Sequence, residues 1–155
     1  MFQEYKSLEE FYNQGLSYIQ QIKRVLPNDT KIQQIEFYRK YYKAKILNSY
    51  IKIGLLNKEQ KKLLQTNNAI LKFSIDSLIK NMLRHPEITL DEYLLVRNII
   101  NTPDKMVLSK NNNNSILVFK FQNNYYQVVI KTTTDKSENY LTSFIRSNEK
   151  EYNRY

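Results

Sequence analysis

The chain's one histidine, His85, sits directly before Pro86, and Lys131, Thr142 and Arg146 lie within or at the ends of two later apolar, β-branched segments. These are the side-chain types that cut RNA without a metal. In that chemistry the ribose 2′-hydroxyl attacks the adjacent phosphorus. The protein must supply a base for that hydroxyl, an acid for the departing 5′-oxygen and a cation for the crowded phosphate. His85 alone has an unperturbed pKa near neutrality and can serve as base or acid. Lys131 would stabilise the phosphate, Arg146 would grip it as a bidentate fork, and Thr142 or Thr134 would donate hydroxyl hydrogen bonds. Each also has a plainer role: a histidine suits a helix C-terminus, a strand-end charge discourages edge pairing, and threonine favours strands. Ser143 faces away from Thr142 unless a bulge intervenes. Lys72 and Lys80 are further candidate phosphate contacts, and Glu87 is a second candidate acid–base group or a solvated loop residue.

Composition narrows the alternatives. One histidine and no cysteine leave no usual zinc set, and two glycines build neither a phosphate-cradling loop nor a dinucleotide fingerprint. No metal or cofactor is expected. The net charge of +9 points to a polyanionic partner, and RNA is preferred because only it carries the 2′-hydroxyl that the chemistry above needs. The bases Arg39, Lys40, Lys43, Lys45, Lys52, Lys58, Lys61 and Lys62 face a single acid, Glu59, and Arg39 to Lys45 are read as nucleic-acid contacts. A solvated helix face in a lysine-rich protein is the alternative. Tyr125, Tyr126 and Tyr140 could stack on unpaired bases, although strand tyrosines more often fill cores. Absent cysteine, a start without a secretory pattern and no long apolar run suit a cytoplasmic protein with no membrane partner.

These residues depend on their scaffold. Ser7 to Glu10 reads as a capping box, followed by an apolar helical stripe (Leu8, Phe11, Tyr12, Leu16, Ile19, Ile22 and Leu26) that Pro27 stops. Asp29 or Thr30 caps a second helix with Ile32, Ile35, Tyr38, Tyr42, Ile46 and Ile53 as its stripe, closed by Gly54 as a left-handed terminator. Asn57 opens a third, so residues 1–66 read as a helical region. Residues 69–73 read as a strand, with Ser74 capping a helix that His85 and Pro86 end. Thr89 caps a helix through Ile100. Residues 106–109, 115–121, 125–132 and 139–145 read as strands joined by asparagine-rich or polar turns. The tail from Ser147 reads as frayed. The order predicts an α+β fold.

The segments Leu71-Lys72-Phe73-Ser74, His85 to Tyr93, Leu117-Val118-Phe119, Tyr125 to Thr132 and Tyr140 to Arg146 resemble phage-associated members of the barnase–EndoU–colicin–RelE nuclease superfamily. The resemblance covers roughly half the chain. It departs at Ile145, where a more polar residue, often histidine, is expected. It gives the helical region at 1–66 no counterpart and implies a barnase/RelE-like domain at 67–155 with a four- to five-stranded antiparallel sheet. The implied activity is that of a phage- or prophage-derived, toxin-like endoribonuclease. The alternative is a non-catalytic nucleic-acid-binding or head-assembly protein on the same fold. An acidic immunity protein or a phage structural protein would be the protein partner.

Overall fold

Capping residues set most of the local structure. The computed structural model describes residues 2–28, 30–45, 49–110 and 114–155, with side chains from Leu8 onward in the first helix. The chain runs α1 (Phe2–Val25), α2 (Lys31–Tyr41), a 3-10 turn (Lys43–Lys45), β1 (Tyr50–Leu55), α3 (Lys58–Leu64), β2 (Ile70–Ser74) and α4 (Ile75–Arg84). It continues with α5 (Leu90–Tyr93), α6 (Val96–Asn101), β3 (Lys105–Leu108), β4 (Ser115–Gln122), β5 (Asn124–Thr132), β6 (Asn139–Arg146) and α7 (Glu149–Arg154). Thr30, Asn57 and Thr89 close full capping boxes, and Ser74 Oγ accepts from the Ser77 amide at the start of α4.

Several expectations are corrected. Helix α1 starts at Phe2, so Ser7 lies inside it and is not its cap, and its side chain lies outside the described residues. Asp29, Ile46 and Asn111 to Asn113 also lie outside them. The region 1–66 is not all helical: residues 50–55 alternate apolar and polar at period two and form β1. Gly54 has no positive φ and marks a bulge between Lys52 and Gly54. The helix expected through Ile100 breaks between α5 and α6, and the expected frayed tail folds into α7.

The sheet has six strands, where four or five antiparallel ones were expected, in the order β1-β2-β6-β5-β4-β3. All pairs are antiparallel except β2 with β6. One face carries Leu71, Phe73, Leu141, Phe144, Val128, Ile130, Ile116 and Val118, all buried under the helices. A hydrophobic core cluster runs from Leu8 in α1 to Phe144 in β6 and draws residues from both sides of position 66. The fold is α+β.

Gly15 shows how closely α1 approaches α4. A Cβ there would lie 2.7 Å from Leu78 Cδ2 and 3.2 Å from Met82 Cε, both on buried side chains. Gly15→Val is expected to cost about 1–3 kcal/mol through overpacking, read as a lower urea midpoint. At Gly54 a Cβ meets nothing within 4 Å, and Gly54→Ala should leave that midpoint nearly unchanged.

Candidate nucleic-acid interface

Among the described residues, the second face of the sheet carries no helix apart from α7. That helix covers the β3–β5 side, where Tyr152 packs on Tyr125 at 5.1 Å and Tyr155 on Phe119 at 5.6 Å. On the other side, directly paired residues form a row across four strands. Lys52 of β1 pairs with Lys72 of β2, Lys72 with Tyr140 of β6, and Tyr140 with Lys131 of β5. Paired residues share a face, so the row presents three lysines and a tyrosine to solvent. Lys72 Nζ stands 4.5 Å from the centre of the Tyr50 ring and 5.9 Å from that of Tyr140, a cation held between two aromatic rings.

Glu138 orders this cluster. Its carboxylate meets Lys72 Nζ at 2.8 Å through one oxygen and accepts from the Tyr140 hydroxyl at 3.1 Å through the other. The Lys72 bond first, then that of Tyr140, holds the Glu138 carboxyl below its ordinary pKa. Burial, then the Glu138 contact, pushes the Tyr140 hydroxyl up. At neutral pH, Tyr140 is therefore a donor and Glu138 an ionised acceptor.

A cleft of about 180 Å³ opens beside the row, lined by Ser74, Ser77, Lys131, Thr132, Thr133, Tyr140 and Thr142. It exists because β2 leaves the sheet at Ser74 to become α4, while β6 continues. In place of a β2 partner, Asn81 of α4 donates to the Phe144 carbonyl at 2.8 Å and accepts from the Phe144 amide at 3.1 Å. Beside this staple β6 bulges: Val129 pairs with Ser143 and Ile130 with Leu141, leaving Thr142 as the extra residue. The Thr142 hydroxyl donates to the Val129 carbonyl at 3.3 Å, so its proton is not free for a phosphate.

The four expected catalytic residues do not converge. Lys131 and Thr142 line the cleft. Arg146 lies opposite Tyr126, five positions along β5 from Lys131 and on the helix-covered face. There it forks onto Glu92, with Nε 2.7 Å from Oε2 and Nη2 2.6 Å from Oε1. The second Nη2 proton reaches the Glu87 carbonyl at 3.2 Å, so the face of the guanidinium that could fork a phosphate is occupied by Glu92 and Glu87. His85 ends α4 in the helical layer, its amide bonded to the Asn81 carbonyl and its Nδ1 3.8 Å from Glu87. Burial lowers its pKa, Lys31 and Arg84 add to that, and Glu87 opposes it. Alternation along β5 puts Lys131 on the opposite face from the helices, which separates it from His85.

The expected nucleic-acid contacts also divide. Lys72 belongs to the row. Lys80 pairs with Asp76 at 2.9 Å, and Asp76 also accepts from Tyr38 at 2.6 Å, anchoring α2 on α4. Lys43 adds its charge beside that same carboxylate. Arg39, Lys40 and Lys45 are exposed on α2 and the 3-10 turn, away from the open sheet face. Reading the sequence placed Lys52 in a helical basic run rather than on a strand, and it missed Tyr50 and Glu138. The period-two alternation of residues 50–55 was the available signal for the first two.

Among the described residues no helix is long and apolar enough to cross a membrane, and no three His, Cys, Asp or Glu side chains gather as metal ligands. No family model, curated protein or solved structure matches the chain.

Proposed function

We propose that this protein binds single-stranded nucleic acid, RNA by preference, on the open face of its sheet. The row Lys52–Lys72–Tyr140–Lys131, flanked by Tyr50, carries the reading. It combines what an unpaired strand needs: Lys52 and Lys131 as exposed cations for the phosphates, with the Tyr50 and Tyr140 rings between them, held by the Lys72–Glu138 pair, on which bases stack. The cleft beside Lys131 would seat one phosphate against the Lys131 ammonium and the hydroxyls of Ser74 and Ser77. Titration of a labelled single-stranded RNA is expected to show affinity falling steeply with salt. Lys131→Gln should flatten that dependence by about 0.7 in log K per log salt, the share of one phosphate contact on a single strand. Binding that ignores salt would sink the proposal.

A second reading is RNA cleavage on the same face by 2′-hydroxyl attack, in a phage-derived, toxin-like nuclease of the family this chain resembles. It is favoured by the bonded Glu138 and Tyr140 beside Lys131, an acceptor and a donor next to a cation. His85 and Arg146 have no part in it. If it holds, RNA incubated in EDTA gives 2′,3′-cyclic phosphate ends, and Glu138→Gln abolishes them. Intact RNA under those conditions leaves binding alone.

A further inference from the structure

We infer that the concavity at the C-terminal end of α3 is a second phosphate site, which extends the bound strand beyond the sheet. The inference rests on the binding face proposed above and adds the route of the RNA backbone. The hollow measures about 410 Å³ and is lined by Lys58, Lys61, Lys62, Gln65, Thr66 and Asn67. No carboxylate pairs with any of its three lysines among the described residues. Lys72 and Lys80, by contrast, are paired with Glu138 and Asp76.

Its floor is fixed. Gln65 ends α3 in the left-handed conformation at φ 55°. The Lys136 ammonium donates to the Leu64 carbonyl at 3.1 Å, bringing a fourth cation to the end of the helix. The hydroxyl of Thr66, 5% exposed, donates to the Lys136 carbonyl at 3.0 Å, and the Asn68 side chain donates to Ser137 at 2.8 Å. These bonds stitch the α3 hollow to the turn before β6. Residue Glu138 of that turn already holds Lys72 and Tyr140 of the open face. A strand leaving the Tyr140 end of the sheet thus meets three lysines with no carboxylate partner among the described residues on passing the turn.

No aromatic side chain lines the hollow, so it offers nothing for a base to stack on. Its ligand is the phosphodiester backbone, held by charge whatever the sequence. The sheet face grips bases and phosphates, and the α3 hollow adds phosphates alone.

The test compares fluorescein-labelled single-stranded RNAs of about five and about twelve nucleotides, within the span one such domain covers. They are titrated into the wild-type chain and a Lys58→Gln/Lys61→Gln/Lys62→Gln variant whose fold is checked by circular dichroism. Glutamine preserves helix propensity. The wild type is expected to bind the longer RNA more tightly. The variant should bind the longer RNA about tenfold more weakly at low salt, with a flatter salt dependence, and the shorter with unchanged affinity. Equal losses on both lengths, or none on either, overturn the α3 site and leave the sheet face standing. A wild type that binds neither length removes both. If the triple variant loses its helical signal, Lys58→Gln/Lys62→Gln carries the same comparison, since both side chains are exposed.

Discussion

Glu92→Ala is expected to cost about 3 kcal/mol of folding stability at neutral pH, the scale of losing one partner of a buried charge pair. Glu92 is 7% exposed and accepts from Arg146 at 2.6 and 2.7 Å and from the Tyr126 hydroxyl at 2.7 Å. It also accepts from the Thr89 amide at 3.0 Å. Without it the buried Tyr126 hydroxyl has no acceptor for its proton, and α5 loses its tie to the end of β6. The Arg146 hydrogen bond, ahead of the Thr89 and Tyr126 contacts, overcomes burial and brings the Glu92 carboxyl from 4.5 to about 2. A depressed carboxylate stabilises the fold fully above its unfolded pKa, and the contribution drains away as pH falls through the folded one. Discounted for solvent at the Arg146 end, the loss is on the order of 2 kcal/mol. Urea unfolding from pH 7 downward should show the wild type converging on Glu92→Ala between about pH 4.5 and 2. A gap unchanged by pH would show that the carboxylate charge is not what matters.

Tyr140→Ala should weaken single-stranded RNA binding by about tenfold or more, because one base–aromatic stack is worth about 1–3 kcal/mol. Tyr140→Phe keeps the ring and should bind nearly as well as wild type. It separates stacking from the hydrogen bond to Glu138. His85→Ala should leave affinity unchanged, since His85 lies in the helical layer. Anisotropy titrations of all three variants decide the matter: equal affinity for Tyr140→Ala and wild type would mean that bases do not stack on this face.

Much of the scaffold was legible where a local signal decided the outcome. Ser74, Asn57 and Thr89 cap their helices because a side-chain oxygen can satisfy a free amide at that spot and nowhere else nearby. The stripe Ile75, Leu78, Ile79 and Met82 is buried as its spacing demands. Strand β1 was hidden because Tyr42, Ile46 and Ile53 also fit a helical period, and only pairing with β2 decides in favour of the strand. The site was legible in part. Alternation put Lys131 on the face of Val129, and Thr142 reached that cleft through the bulge that Asn81 supports from α4. Nothing local showed that Arg146 would be claimed by Glu92, 54 positions away, or that a helix end would carry His85 to the other layer. Those are choices of tertiary partner. No short window contains them.

The parallel pairing of Leu71 to Phe73 with Asn139 to Leu141 has a consequence for synthesis. The middle of the sheet is closed by its last strand, so β2 leaves the ribosome with β1 beside it but long before its parallel partner β6 exists. Until β6 arrives, Leu71, Phe73 and the apolar side of α4 have no completed sheet to pack against. The nascent chain is then a client for chaperones, and folding waits for a contact that is distant in sequence and slow to close.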